Sequence, residues 1–129
     1  MRAQSADIFL HAKKATIVMR FAPRSELDTF LEQNPDIQLL EILMPDYNGI
    51  FRCKRVARPQ FAALYEGAFR VPRTIPFLAI RGDMYAGLDP VEFGGDPDQV
   101  LRPVTGTLCR VPWLASPVAQ VVVGYADGD

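Results

Sequence analysis

The segment Ile37–Met44, which reads Ile-Gln-Leu-Leu-Glu-Ile-Leu-Met, runs into Pro45-Asp-Tyr-Asn-Gly49 and continues as Ile50-Phe-Arg-Cys-Lys-Arg-Val56. Its first part is rich in branched apolar residues and too short for a typical helix, which predicts a strand covered on much of both faces. Asn-Gly is a strong signal for a β-hairpin because both residues tolerate a positive φ. We therefore predict a hairpin with one basic face, to which the return strand contributes Arg52 and Lys54.

A helix is predicted on each side of this hairpin. In the first, Ser25 is followed three residues later by Asp28, a pattern that satisfies the free backbone amides at a helix start, and Asn34-Pro35 ends the helix. In the second, Pro59 stands at a first-turn position and Gly67 acts as a stop. The predicted apolar faces are Leu27, Phe30 and Leu31 in the first helix and Phe61, Leu64 and Tyr65 in the second.

Short apolar runs separated by prolines and glycines follow Pro72, and they predict four short strands joined by loops. The runs lie at 76–80, 100–101, 107–111 and 118–123. Residues 1–20 are weakly patterned and are interpreted as an N-terminal extension, poorly ordered or forming a strand or short helix. The order of helix, hairpin, helix and strands predicts an α+β fold with the helices packed on one face of the sheet.

Size and composition limit the classes of protein to which this chain can belong. It has 129 residues, of which 49% are hydrophobic and 22% charged, and a net charge of −1. This predicts one globular domain without the basic excess that a nucleic-acid binder needs. The apolar runs are too short to span a bilayer, and the first residues lack the features of a secretory signal. We therefore expect a cytoplasmic protein without nucleic-acid or membrane partners.

The residues that usually build catalytic or metal sites are few. The chain has one histidine, His11, and two cysteines, Cys53 and Cys109, which are far apart in sequence. We expect reduced, half-buried thiols, since two such cysteines form neither a disulfide framework nor a zinc motif. A zinc site or a histidine-dependent nucleophile would depend on that single histidine. We therefore predict no metal site within this chain.

The segment from Arg81 to Gln99 holds the main concentration of functional-looking side chains. Its carboxylates could bind a cation, an ammonium group or a metal, although the ligand spacing of an EF-hand is absent. Equally, such acids often cap turns in solvated loops. The acids of this loop are Asp83, Asp89, Glu92, Asp96 and Asp98.

Two readings are also open for the basic residues Arg52, Lys54, Arg55 and Arg58. They could face a phosphate or an acidic partner. A strand with alternating charges is more often the solvated face of a half-covered sheet.

Several motifs, in collinear order over roughly residues 24–129, resemble the glutamine synthetase family, in particular its bacterial branch that includes γ-glutamyl-polyamine synthetases. The hairpin resembles the family's Asp-x-Asn-Gly-x-x-Arg-Gly-Lys-Arg motif, and the later segments resemble its Asp-rich, Pro-Gly-Thr and Pro-Trp motifs. The segments that carry the resemblance are Leu31–Ile37, Met44–Val56, Leu64–Gly67, Val71–Ile75, Gly95–Asp98, Arg102–Trp113, Pro117–Val121 and Asp127-Gly128.

This resemblance implies that residues 21–129 form a β-grasp N-terminal domain with a mixed sheet, and that the larger C-terminal catalytic domain is absent from this chain. In such enzymes ATP phosphorylates the γ-carboxylate of glutamate, and ammonia or an amine displaces the phosphate. The C-terminal domain holds the ATP, the glutamate and the divalent metals. We therefore expect no cofactor on this domain alone, and ATP with Mg²⁺ or Mn²⁺ in the full-length enzyme. The partners implied are that C-terminal domain and neighbouring subunits in a ring homo-oligomer.

The resemblance also implies that a loop acid of the N-terminal domain receives the ammonium in a neighbouring subunit's active site. Asp83 and Asp89 are the nearest candidates for that acid. The sequence departs from the family pattern at Cys53, where glycine is usual, and at Ala79, where polyamine-type relatives have aspartate. An alternative function is a free-standing β-grasp module that binds a protein partner through its sheet edge or basic face and has no catalytic activity.

Overall fold

The computed structural model describes residues 20–85, 87 and 94–126. Most of the predicted extension at 1–20, including His11, and the candidate Asp89 lie outside these described residues. The helices are α1 (Arg24–Gln33) and α2 (Phe61–Tyr65), with single 3₁₀ turns at Arg58–Gln60 and Ile75–Phe77. The strands are β1 (Leu39–Pro45), β2 (Phe51–Ala57), β3 (Arg70–Pro72), β4 (Asp98–Pro103), β5 (Cys109–Arg110) and β6 (Val118–Tyr125).

The sheet is mixed, and its order is β2-β1-β6-β4-β3, with β5 pairing to β6. The central pair, β1 and β6, is parallel, whereas the other pairs are antiparallel. The predicted hairpin is confirmed: β1 and β2 pair in a register that runs from Leu39 opposite Ala57 to Pro45 opposite Phe51. The α+β prediction, with a β-grasp-like mixed sheet and two short helices, is confirmed.

The core lies between the helices and one face of the sheet. Along β1 the residues alternate between buried and half-buried, and Leu40 and Ile42 point into the core beside Ala119 and Val121 of β6. This alternation follows from the two-residue period of a strand. It differs from the predicted coverage of both faces, because the other face of β1 is half-buried. The helices contribute the buried side chains Leu27, Phe61, Leu64 and Tyr65 to the same core.

The start of α1 differs from the prediction. The residue before the helix is Pro23, and no side chain caps the first turn. Asp28 instead accepts a hydrogen bond from Arg24 at 2.9 Å, while Glu26 accepts bonds from Thr105 and Gly106 on the turn between β4 and β5. Asp28 and Glu26 therefore make an ion pair and tertiary contacts, respectively, in place of a capping box.

The predicted strand at 76–80 is wrong. Residues Ile75–Phe77 form a 3₁₀ turn, and only Leu78 makes an isolated bridge, with Met84. Pro76 has no backbone N–H for a strand ladder and fits an early position of such a turn. The strands predicted at 100–101, 107–111 and 118–123 correspond to β4, the shorter β5 and β6. Both cysteines are free, and they are exposed, not half-buried as expected.

Candidate functional site

The hairpin turn is organised around the buried carboxylate of Asp46. Its Oδ1 accepts hydrogen bonds from the backbone N–H groups of Asn48 and Ile50, at 2.8 and 2.9 Å. Its Oδ2 accepts from Nε of Arg52 at 2.9 Å, and the Nη2 of that guanidinium lies 2.8 Å away. Gly49 provides the one positive φ of the turn, +76°, at the position where glycine is favoured. The Asp-x-Asn-Gly-x-x-Arg pattern therefore encodes this turn.

The electrostatics of Asp46 follow from these contacts. Burial alone would raise the pKa of its carboxyl group, but the hydrogen bonds from Ile50, Arg52 and Asn48 outweigh burial and lower the pKa below the ordinary value of 3.8. The carboxylate is charged at neutral pH. Its contribution to stability is therefore present above the ordinary pKa and is lost as the pH falls through the lowered one.

The same side chains fasten the hairpin to the segment that follows β3. Asn48 donates to the carbonyl of Leu78 at 2.7 Å, and Arg52 donates to the carbonyl of Ala79 at 2.8 Å. The backbone N–H of Tyr47 bonds to the carbonyl of Pro76 at 2.9 Å. We call Asn48, Arg52 and their acceptor Asp46 the hairpin clamp. Since Arg52 holds Asp46 and Ala79 at once, it couples the hairpin to the next turn.

The turn Leu78–Met84, which we call the acceptor turn, carries the candidate Asp83. It is closed by backbone hydrogen bonds from Ala79 N–H to Asp83 O at 2.9 Å and from Gly82 N–H to Ala79 O at 2.8 Å. Gly82 has a φ of +89°, and a side chain there would approach Nη1 of Arg52. The carboxylate of Asp83 is exposed. Asp83 therefore lies in a turn whose backbone is held by the hairpin clamp.

Asp96, at the other end of the loop, has a structural role. It has a φ of +57°, and its carboxylate accepts hydrogen bonds from the backbone N–H and the hydroxyl of Thr74, at 2.9 and 2.8 Å. Thr74 is buried and immediately precedes the 3₁₀ turn at Ile75–Phe77. Asp96 therefore has the turn-capping role that was predicted as the alternative to ligand binding, and it ties the end of the loop to the segment before the 3₁₀ turn.

The basic residues of the hairpin do not form one face. Arg52 and Lys54 lie opposite Met44 and Ile42, on the side of the sheet that faces the core, whereas Arg55 pairs with Glu41 on the other side at 2.6 Å. Arg52 and Lys54 line a cavity of about 170 Å³ together with apolar residues that include Phe69, Val71 and Leu101. Arg58 donates to the carbonyls of Pro35 and Ile37. Arg52 and Lys54 share a side of β2, as predicted, but that side continues into the core, so it is not a separate basic face.

Exposed apolar side chains concentrate around the hairpin tip and the acceptor turn. The exposed large hydrophobic residues of the described chain are Tyr47, Phe51, Ile80, Met84, Tyr85, Trp113 and Leu114. The first five of these belong to the two segments that the hairpin clamp joins, and we call them the tip patch. Tyr47 also stacks on Phe77, with ring centroids 4.8 Å apart.

Within the described residues, no group of three or more histidine, cysteine or acidic side chains is arranged to hold a metal ion. The described helices include none that is long and apolar enough to cross a membrane. The described part of the chain is a β-grasp-like domain that presents a motif-bearing hairpin and an acid on the adjoining turn.

Comparison with known proteins supports a family-level relationship. No protein-family model matches the chain. The chain is 29% identical over 106 residues to gamma-glutamylputrescine synthetase of Escherichia coli, and the aligned region takes in 81% of this chain. It spans only 22% of the length of that enzyme. The similarity supports the resemblance to glutamine synthetase-like ligases at the level of the family.

Asp83 stays a prediction from the sequence, and the contacts of the hairpin clamp were not predicted. The alternation of charges along the strand predicts either a solvated face or a surface for a phosphate or an acidic partner, and neither interpretation includes the contacts of Arg52 with Asp46 and Ala79. The available signal was the spacing of the two residues: Arg52 follows Asp46 by six positions across an Asn-Gly turn, so the two ends of the turn can meet. The contacts of Arg52 and Asn48 with residues 78–79 join segments about 30 residues apart, and no local pattern announces such contacts.

Proposed function

We propose that this chain is the N-terminal domain of a glutamine synthetase-like, ATP-dependent ligase that joins the γ-carboxylate of glutamate to ammonia or an amine. In this proposal the domain completes the active site of a neighbouring subunit in a ring homo-oligomer, and Asp83 faces the incoming ammonium group. ATP, glutamate and Mg²⁺ or Mn²⁺ are held by the C-terminal domain. The relative whose name describes a gamma-glutamylputrescine synthetase supports the reaction class.

The observation that carries the proposal is the joining of the hairpin motif to the acceptor turn. The family-like Asp-x-Asn-Gly-x-x-Arg pattern forms the hairpin clamp, and that clamp fixes the backbone of the turn on which Asp83 stands. Three residues of the tip patch, Ile80, Met84 and Tyr85, lie on or directly after this turn and are exposed. A carboxylate on a turn that hydrogen bonds hold in place, next to exposed apolar side chains, suits a domain that docks against another domain and presents one negative charge at the interface.

The proposed reaction has two steps. The γ-carboxylate oxygen of glutamate first attacks the terminal phosphorus of ATP, which gives γ-glutamyl phosphate and ADP. The nitrogen of ammonia or an amine then attacks the γ-carbonyl carbon and forms the C–N bond. The bond between that carbon and the bridging phosphate oxygen breaks, and inorganic phosphate leaves. The acceptor arrives as an ammonium ion and must lose a proton before it attacks. Asp83 would hold that cation and accept the proton, because a positioned carboxylate favours the bound ammonium over a dispersed one.

The test is phosphate release by the full-length gene product, measured with ATP and glutamate and with ammonia or individual amines as acceptors. We expect release that depends on an acceptor. Asp83→Asn should raise KM for the acceptor at least tenfold while it leaves KM for ATP unchanged. Asp98→Asn, which removes an exposed acid from β4, is the matched control. Absence of release with every acceptor, from a folded full-length protein, would refute the proposal.

One observation favours the second candidate, a free-standing binding module. Among the described strands β2 pairs with β1 alone, so one edge of β2 is open to another extended chain. The discriminating measurement is the reading frame downstream of Asp129. A continuing frame with glutamate- and histidine-bearing metal-ligand segments favours the ligase, and a stop codon there favours the module.

A further inference from the structure

The cavity that Arg52 and Lys54 line lies where the two outer strands of the sheet approach each other. In the order β2-β1-β6-β4-β3, β2 and β3 stand at opposite ends of the sheet. Nevertheless, Nζ of Lys54 on β2 lies 5.7 Å from the ring centroid of Phe69, the residue before β3. The sheet therefore curls toward itself, and the cavity of about 170 Å³ lies inside the curl. We call it the curl cavity.

The pairing of β1 with β2 gives this cavity an apolar floor and a cationic wall. Where Leu40 pairs with Val56, both side chains are buried in the core that the helices cover. Toward the turn, the core-facing residues of β1 are Ile42 and Met44, which are still buried. Their partners on β2 are Lys54 and Arg52, and all four residues line the cavity.

We propose that the curl cavity binds a small molecule that carries an aromatic ring. The volume fits one ring, because an apolar cavity of about 150 Å³ takes up benzene. Three of the lining groups favour an aromatic ring over a saturated one: the ammonium of Lys54, the ring of Phe69 and the thioether of Met44. This site lies beyond the proposed ligase function, and its occupation needs neither ATP nor glutamate.

The ammonium of Lys54 already lies close to one aromatic ring, that of Phe69. A cation is attracted to the negative face of a ring, and at an exposed position such a contact strengthens binding by about twofold to fivefold. Lys54 is exposed, so this range applies to it. A ring that enters the cavity beside Phe69 gains the same attraction, whereas a saturated ring has no negative face to offer.

Phe69 and Met44 add to this preference. Two aromatic rings in offset or edge-to-face contact attract each other beyond the effect of buried area, by about twofold to tenfold. A methionine sulfur also makes favourable contacts with the edge of a ring. Met44 is 6% exposed, so its thioether is held in the floor of the cavity. Together these groups should favour an aromatic ring over its saturated counterpart by about fivefold or more.

The experiment is an NMR titration of the 129-residue chain with phenol and, separately, with cyclohexanol. The two probes share the six-membered ring skeleton and the hydroxyl group and differ in aromaticity. We expect saturable shifts of the methyl signals of Ile42, Val71 and Leu101, which line the cavity. The Kd for phenol should be about fivefold or more below that for cyclohexanol.

Three variants locate the preference. Lys54→Gln should raise the Kd for phenol by about twofold to fivefold and leave that for cyclohexanol unchanged. Phe69→Leu keeps an apolar side chain at a half-buried position, so it should fold, bind cyclohexanol and lose part of the preference for phenol. Arg55→Gln is the matched control: it removes the same charge from the next residue, which lies on the other side of β2, and should leave both Kd values unchanged.

Equal Kd values for phenol and cyclohexanol in the parent chain would overturn the inference, because the cavity would then be an apolar gap without preference for an aromatic ring. A preference that survives both Lys54→Gln and Phe69→Leu would overturn it too. Sedimentation velocity tests another occupant: if the chain self-associates and phenol dissociates it, the cavity holds a side chain of a second copy and the inference fails.

Saturable binding of phenol by a monomeric chain, with the expected responses of Lys54→Gln and Phe69→Leu, supports the inference. None of these measurements uses ATP, glutamate or an amine. A negative result therefore leaves the proposed ligase function standing, and a ligase without activity leaves this site standing.

Discussion

The hydrogen bonds between Thr74 and the carboxylate of Asp96 permit a quantitative prediction. Replacing Asp96 by alanine removes two hydrogen bonds to a carboxylate and leaves the buried backbone N–H and hydroxyl of Thr74 without their acceptors. Hydrogen bonds to charged groups contribute about 1.5 kcal/mol or more each, so we expect the free energy of unfolding to fall by about 3 kcal/mol. Alanine keeps the φ of +57° that Asp96 already adopts, so the left-handed strain of about 1–2 kcal/mol for a residue with a Cβ remains in this variant.

Glycine at the same position separates the two effects. Asp96→Gly loses the same hydrogen bonds but accepts the left-handed backbone without strain, so it should be about 1 kcal/mol more stable than Asp96→Ala. This order is unusual, because glycine is normally the more destabilising of the two in regular structure. Thr74→Val, which retains the backbone N–H and removes the hydroxyl bond alone, should cost about 1.5 kcal/mol.

The assay is urea unfolding of the 129-residue chain followed by far-UV circular dichroism. Combining Thr74→Val with Asp96→Gly should cost about 1.5 kcal/mol less than the two single losses added together, because each variant already removes the shared hydrogen bond. An Asp96→Gly variant as stable as the parent chain would refute the role of the carboxylate. An alanine variant as stable as the glycine variant would refute the role of the backbone conformation.

Three further predictions concern the core, the hairpin clamp and the last strand. Phe61→Ala should lower the free energy of unfolding by about 3–5 kcal/mol, since this side chain is 1% exposed, whereas Phe61→Leu should cost clearly less; urea unfolding measures both. Arg52→Lys keeps the charge but cannot bond Asp46 and Ala79 together, so amide exchange in the acceptor turn should accelerate about tenfold, and unchanged rates would contradict the clamp. Burial, followed by the charges of two nearby aspartates, raises the pKa of Tyr125 from 10.0 to about 12. Its protonated hydroxyl therefore stabilises the fold fully below pH 10.0 and loses this effect as the pH rises toward about 12. Tyr125→Phe should be less stable by about 1 kcal/mol at neutral pH, because it loses the hydrogen bond to the carbonyl of Pro72. In urea unfolding, the free energy of unfolding of this variant should lack the decrease at alkaline pH that the titration of Tyr125 causes.

Local patterns predicted the elements whose own residues determine them. The apolar spacing of Phe61, Leu64 and Tyr65 predicted their burial in α2, and the Asn-Gly pair predicted the hairpin. Gly67, with a φ of +77°, lies just beyond that helix, as expected of a stop. In each of these cases the side-chain period or the backbone conformation of a few neighbouring residues decides the structure.

Tertiary contacts decided what the patterns missed. Glu26 and Asp28 looked like part of a capping pattern, yet Glu26 serves a turn about 80 residues away. The run at 76–80 has the composition of a strand, but the carbonyl groups of Pro76, Leu78 and Ala79 are taken by the hairpin. Asp83 stays a prediction that rests on a resemblance, while the hairpin clamp fixes its turn through contacts that no local pattern encodes.

The parallel pairing of β1 with β6 has a consequence for synthesis of the protein. The centre of the sheet joins Leu39 to Val118, so the strand made early must wait for one made about 80 residues later. At a translation rate of about 5–20 residues per second, that delay is roughly 4–16 seconds, during which the apolar side of the nascent hairpin has no partner strand. The parallel centre of the sheet therefore cannot form until β6 has emerged from the ribosome.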